Sequence, residues 1–158
     1  MNKHISWDDY FMAVAILSSK RSKDDNTKVG CCIINKSKRI IGCGYNGMPN
    51  NCSDDEMNWN REGNGINTKY FYVVHAEANA ILNSDRKDLI GASLYTTLFP
   101  CNECAKLIVQ AGIREIIYLS DKYHGTDSNS ASKLIFNKAN IECREYSSIF
   151  LNSIDRIW

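Results

Sequence analysis

The chain has 158 residues, 44% of them hydrophobic and 23% charged, a length that suits one domain with a real core and leaves none for a second. Nineteen Lys and Arg against 18 Asp and Glu leave a formal charge of +1. Without a strong field to gather polyanions, a nucleic-acid coat protein is not expected.

The first predicted element is a helix. Ser6 and Asp9 set up its start, and Phe11, Val14, Ala15 and Leu17 follow at helical spacing until the polar stretch "SKRSKDDNTK". Its apolar run "FMAVAIL" is far shorter than a bilayer span, as is "KLIVQAGI" later, and "MNKHISWDDY" lacks the apolar centre of a signal peptide. A cytoplasmic protein with no membrane partner is expected. "VGCCIIN" and "RIIGCGYN", joined by "KSK", read as an antiparallel hairpin. Cys31, Cys32 and Cys43 lie in its apolar runs, and the chain's cysteine total is odd, seven; buried free thiols in a reducing compartment fit better than disulfides. Residues 47–70 then form a long irregular loop rich in Asn, Gly, Asp and Ser, of a length that usually serves function.

Beyond the loop, "HAEANAILN" reads as a helix, "ASLYTTL" as a strand, "CNECAKLIVQAG" as a helix closed by Gly112, and "REIIYLS" as a strand. "DSNSASKLIFNKAN" and "IECREY" add one more helix and strand. Helix and strand alternate after a hairpin, which implies an α/β domain over 1–158: a mixed sheet with helices on both faces. Residues 147–158 are a C-terminal extension with no expected role beyond packing.

Two short motifs carry chemistry. Pro100 has the fixed φ suited to the first turn of a helix, so the helix is expected to start at the cysteines. Cys101 and Cys104 then share one face, and the helix dipole favours their thiolates. Joined by His75, they form a three-ligand zinc set with the fourth tetrahedral position open, the pattern of catalytic rather than structural sites. Glu77, two residues from His75 at a helix start, can face that open position without being a ligand and shuttle a proton. Alone, Cys-x-x-Cys also marks redox dithiols and structural zinc knuckles. Neither His4 nor His124 has a spacing that nominates it as a fourth ligand. His-x-Glu followed by Pro-Cys-x-x-Cys is the specific signature of zinc deaminases.

"HAEANAI" with "TTLFPCNECAKLIVQAGI" resembles the cytidine deaminase superfamily, and "GYNGMPNNCSDD", "TKYFYVVHAE" and "SDKYH" resemble its deoxycytidylate (dCMP) deaminase branch. The likeness runs from about Trp7 to about Tyr146. It implies a three-layer cytidine deaminase-like fold around a five-stranded mixed sheet. It also implies hydrolysis of dCMP to dUMP and ammonia, feeding thymidylate synthesis, and a homo-oligomer, commonly a hexamer. Carried over by position, His75, Cys101 and Cys104 hold zinc, Glu77 is the general acid and base, and the Ala76 N–H donates to the base O2. The loop lacks a second ligand set, having Cys52 but no histidine, so one zinc per chain is expected.

Substrate contacts depend on loops. Asn46 stands where related deaminases bind the sugar, although a turn-forming asparagine is the alternative. Lys122 and Tyr123 leave a strand end near the cysteine helix and are candidates for the 5′-phosphate, against a merely solvated lysine. Arg21 and Lys28 are weaker phosphate candidates, because Asp24 and Asp25 interrupt their cluster and a solvated helix end is the default. Trp59, Tyr70, Phe71 and Tyr72 are expected to pack the loop on the core rather than stack on a base. The family's allosteric regulation, activation by dCTP and inhibition by dTTP with Mg2+ accompanying the nucleotide, points to Gly44, Asn46 and Gly47 as effector residues; a plain turn is the alternative. A bifunctional dCMP/dCTP deaminase stays open as an activity. A polynucleotide-editing deaminase and a non-catalytic zinc protein rank lower, for want of a basic stripe in the first case and because of Glu77 in the second.

Overall fold

The computed structural model describes residues 4–149. Helix α1 (Trp7–Ser19) opens with the expected capping box: the Ser6 side chain accepts the Asp9 N–H, and the Asp9 carboxylate reaches back to the Ser6 N–H. Strands β1 (Gly30–Ile34) and β2 (Ile40–Tyr45) form the hairpin, with Cys32 opposite Cys43. After the long loop come α2 (Ala76–Leu82), α3 (Arg86–Leu89), β3 (Ser93–Thr96), α4 (Asn102–Ala111), β4 (Glu115–Tyr118), α5 (Asp127–Lys138) and β5 (Glu142–Glu145). Gly112 ends α4 at φ 87°, a left-handed cap that glycine adopts without Cβ strain.

The five strands lie in the order β2-β1-β3-β4-β5, antiparallel from β2 to β3 and parallel from β3 to β5. The two-residue period of the strands splits the core into two layers. Cys31, Ile33, Leu94 and Ile116 face Ala76, Ala80, Ala105, Ile108 and Phe136 of α2, α4 and α5. Their neighbours Cys32, Ile34, Tyr95 and Ile117 face Phe11, Met12, Ala15 and Ile16 of α1. Helices therefore cover both faces, in the three layers expected. All seven cysteines are free.

Strand directions bring several segments to one end of the sheet. Cys31 pairs with Thr96 and Gly30 with Tyr45, so the start of β1, the exits of β2 and β3, and the exit of parallel β4 share an edge. That edge is where ligands bind in open α/β sheets. The 47–70 loop is irregular as expected, apart from 3-10 turns at Gly65–Asn67 and Lys69–Phe71. Gly44 lets α2 sit against β2: a Cβ there would lie 2.3 Å from the Ala76 carbonyl oxygen and 2.4 Å from the Ala80 nitrogen. The expected extension begins at 147, but residues 150–158 lie outside the described residues. No helix among the described residues is long and apolar enough to cross a membrane.

Candidate active site

His75 and Cys101 occupy the same structural position on different helices. Each is an N-cap in extended conformation, with ψ of 155° and 169°, and neither side chain is used as a cap. The helix of Cys101 thus begins at Asn102, one residue later than the proline suggested. Cys101 gives its carbonyl to the Ala105 N–H at 2.8 Å, which makes it the half-in flanking residue and places Pro100 outside the helix. The change tightens the site: N-cap and N3 side chains meet over the first turn, as in a capping box, so Cys101 and Cys104 converge.

Both cysteine sulfurs lie 3.4 Å from His75 Nδ1, and the three ligand atoms fall within 4.8 Å of one another. A tetrahedral zinc with Zn–S of about 2.3 Å and Zn–N of about 2.0–2.1 Å requires N···S edges of about 3.5 Å, so the donor set fits the ion. Among the described residues, no other group of three or more His, Cys, Asp or Glu is placed to hold a metal. The Cys104 thiol alongside Cys101, with help from His75 and the Cys104 N–H, holds the Cys101 pKa down to about 4 despite burial. The hydrogen bond with Cys101 holds His75 up at about 8, against the effect of burial. Glu77 is 4% exposed, its carboxylate 3.6 Å from Cys104 Sγ, and burial raises its pKa. A carboxyl so placed can keep or release a proton at the open side of the cluster.

These groups sit in a cavity of about 510 Å³, a size suited to a small-molecule ligand. His75, Ala76, Glu77 and Cys101 lie at its metal-binding end, beside the apolar Val73, Leu98, Phe99 and Pro100. Much of the remaining lining is polar. There Asp24 and Lys69 form an ion pair, 1% and 5% exposed, that the sequence did not reveal. The Asp24 Oδ1 also accepts the Asn26 and Thr27 N–H groups at 2.9 and 3.2 Å. Asp24 is therefore no part of a solvated helix end, contrary to the expectation from its charged neighbours.

The other sequence candidates divide clearly. Asn46 lines the cavity, but its amide is engaged within the chain: Oδ1 accepts the Val29 N–H at 2.8 Å, and Nδ2 donates to the Thr27 carbonyl at 2.9 Å and Asp24 at 3.4 Å. Tyr123 lines the cavity. Lys122 stands behind it, with Nζ 5.0 Å from the Tyr123 ring centre and 3.4 Å from Thr27 Oγ1. Arg21 and Lys28 are exposed and do not line the cavity, because the connection they flank turns Asp24 inward instead. Gly44 has the packing duty already described, and Gly47 pairs with Val74. Of the loop aromatics, Trp59 is half-buried and bonds the Asp54 carbonyl at 2.9 Å, and Tyr72 bonds the Ile66 carbonyl at 2.8 Å. Tyr70 and Phe71 are instead 61% and 68% exposed, with Tyr70 on the cavity wall. Arg61, absent from the sequence candidates, lines the cavity too.

Comparison with known proteins agrees with this geometry. Residues 5–120 match the family model for the cytidine and deoxycytidylate deaminase zinc-binding region. The deoxycytidylate deaminase of Homo sapiens is 56% identical over 144 residues, covering 90% of this chain and 81% of that protein. The probable deoxycytidylate deaminase of Drosophila melanogaster is 51% identical over 150 residues, covering 91% and 74%. The apo crystal structure of dCMP deaminase from the cyanophage S-TIM5 superposes with a TM-score of 0.67 at 25% identity, covering 92% of this chain and all of that one. With most of its length matched by one family model and more than half its aligned residues shared with a curated relative, the chain belongs to the cytidine and deoxycytidylate deaminase family of zinc-binding enzymes.

Proposed function

We propose that the protein hydrolyses dCMP to dUMP and ammonia, with His75, Cys101 and Cys104 as zinc ligands and Glu77 as the proton carrier. The observation that carries the proposal is the convergence of the three ligand atoms with buried Glu77 at one end of a nucleotide-sized cavity. Zinc bound there supplies the Lewis acidity that makes a water nucleophilic near neutral pH. Val73, Leu98, Phe99 and Pro100 offer the pyrimidine an apolar slot and exclude bulk water. Ala76 is the first residue of α2, so its N–H has no acceptor in its own helix and is free for the base O2. Glu77 takes a proton from the attacking water, passes one to N3, and delivers one to the departing amine. The water oxygen ends as the 4-oxo group, and the C4–N4 bond breaks.

The preference for dCMP rests on the curated relatives, both named for deoxycytidylate. The family resemblance extends the proposal to cytoplasmic supply of thymidylate precursors by a homo-oligomer, a hexamer, regulated by dCTP and dTTP. Gly47 is the member of "GYNGMP" with room beside it, a Cβ there having only Tyr45 at 3.8 Å. Mg2+ would arrive with a triphosphate rather than at a site of its own. The test is a dCMP saturation curve on zinc-loaded protein, alone and with each triphosphate and Mg2+. The expected curve is sigmoidal, made hyperbolic by dCTP and depressed by dTTP. No turnover of dCMP overturns the activity; hyperbolic curves insensitive to both nucleotides overturn the regulation alone.

A further inference from the structure

We infer that Arg61, carried to the cavity by the long loop, is the residue that reads the substrate's 5′-phosphate and so sets the preference for nucleotide over nucleoside. The inference rests on the proposed dCMP reading and deepens it. It follows from asking which cations on the cavity wall are free to meet a dianion. Lys69 is not, since it is buried and neutralised by Asp24. Arg21 and Lys28 do not reach the wall. Arg61 does, and among the described residues it makes no ion pair. A single hydrogen bond orients it, from Nε to the Tyr70 hydroxyl at 3.3 Å, which leaves both terminal nitrogens of an exposed guanidinium unspent.

Around Arg61 the wall is built for an anion. Tyr70 and Tyr123 line the same cavity and carry hydroxyls. Lys122 lies 5.0 Å from the Tyr123 ring centre, so a second cation stands just behind the rim, also without an ion pair among the described residues. The field of the two cations is felt at the Tyr123 phenol: burial pushes its pKa up, but hydrogen bonds from Thr27 and Lys122 with the charges of Lys122 and Arg61 bring it down overall. With Asp24 and Lys69 cancelling each other, Arg61 is the one charged residue left unpaired on that part of the cavity lining, among the described residues; Asp25 and Glu62 line the adjoining hollow with it but make no ion pair to its guanidinium. A planar guanidinium with two free terminal nitrogens matches two phosphate oxygens at once, which a lysine cannot do.

The test compares wild type, Arg61→Ala and Arg61→Lys as zinc-loaded proteins. Each is assayed for dCMP turnover and for binding of two probes, dUMP and deoxyuridine, by calorimetry. Arg61→Ala is expected to raise KM for dCMP and Kd for dUMP by about a hundredfold, with kcat falling by less than KM rises and Kd for deoxyuridine unmoved. Arg61→Lys should recover part of the dUMP affinity through its charge. Equal loss of dUMP and deoxyuridine binding would make Arg61 a mere loop support through Tyr70, and no loss of either would remove it from the site; both overturn the inference. Failure of the parent reading looks different. Wild type would then bind dUMP over deoxyuridine in an Arg61-dependent way yet leave dCMP unconverted.

Discussion

The two ends of the cavity are built by opposite means. The metal end takes His75 and Glu77 from one helix start and Cys101 and Cys104 from another, each pair within one helical turn. The polar end takes Asp24 from the α1–β1 connection, Asn46 from the exit of β2, and Arg61 and Lys69 from the long loop, with the partners of its central ion pair 45 positions apart in sequence. At the metal end local geometry does the positioning, and the fold only has to bring two helix starts together. At the polar end the fold does everything, because no local rule relates residue 24 to residue 69. Damage should therefore stay local at one end and spread at the other.

The sharpest test of that contrast is at the metal end, where the largest effect is expected with the least structural consequence. Glu77→Gln should lower kcat by about 10²–10⁴-fold, the usual contribution of a positioned proton carrier. It should still bind about one zinc per chain, because Glu77 is not in the ligand set. Elemental analysis beside steady-state rates checks both halves. Loss of zinc in this variant would mean that Glu77 helps hold the metal and that the division of roles is wrong.

At the polar end the same conservative change should be felt as stability. Asp24→Asn leaves Lys69 buried without its counter-charge, and breaking one side of a buried pair costs about 3–5 kcal/mol. For a chain of this size that is roughly 6–20 °C in Tm. The double change Asp24→Asn with Lys69→Met removes both charges and should recover much of the loss, since a buried pair is worth little more than well-packed neutral residues. Thermal unfolding of the two singles and the double decides the point. Additive losses in the double variant would show that the two residues act separately rather than as a pair.

The difference between the ends also explains what the sequence could reveal. The His-x-Glu and Pro-Cys-x-x-Cys motifs were legible because the residues within each lie inside one helical turn, so spacing alone relates them, although only the fold brings the two motifs together. The five strands and four longer helices were legible from periodicity, whereas the one-turn α3 left no periodic signal. Asp24 was misread because its neighbours Lys23, Asp25 and Asn26 are exposed and speak for a solvated run, while its own burial is dictated by Lys69 far along the chain. Arg61 lay in a Gly- and Asn-rich segment with no pattern to rank it above other loop charges. Asn46 was expected to meet the sugar from its place at a strand exit; it lines the cavity, and its contacts, which no local pattern encodes, engage its amide within the wall itself.

The smallest effect lies away from both ends, where α1 is tied to the far edge of the sheet, and it tests whether that edge has its own electrostatic support. Arg144 on β5 donates to both oxygens of Asp8 at 2.8 and 2.9 Å and to Glu115 at 3.1 Å, and the Tyr95 hydroxyl adds a bond to Asp8 at 2.7 Å. The Arg144 hydrogen bonds, which outweigh burial, hold the Asp8 carboxyl below its ordinary range. A folded pKa below the unfolded value means that the contribution is fully present above the unfolded pKa of about 3.9 and fades as pH falls through the folded one. Asp8 is more than a third exposed, so solvent screening keeps the contribution to about 1 kcal/mol even for this two-point contact. Acid will also protonate the metal ligands, so stability against pH in wild type alone cannot isolate the pair. The difference in Tm between wild type and Asp8→Asn can, because ligand protonation is common to both. That difference should be constant from about pH 5 to 8 and shrink below about pH 4. A gap that persists unchanged at pH 3 would show that Asp8 contributes through neutral hydrogen bonds and packing rather than through its charge.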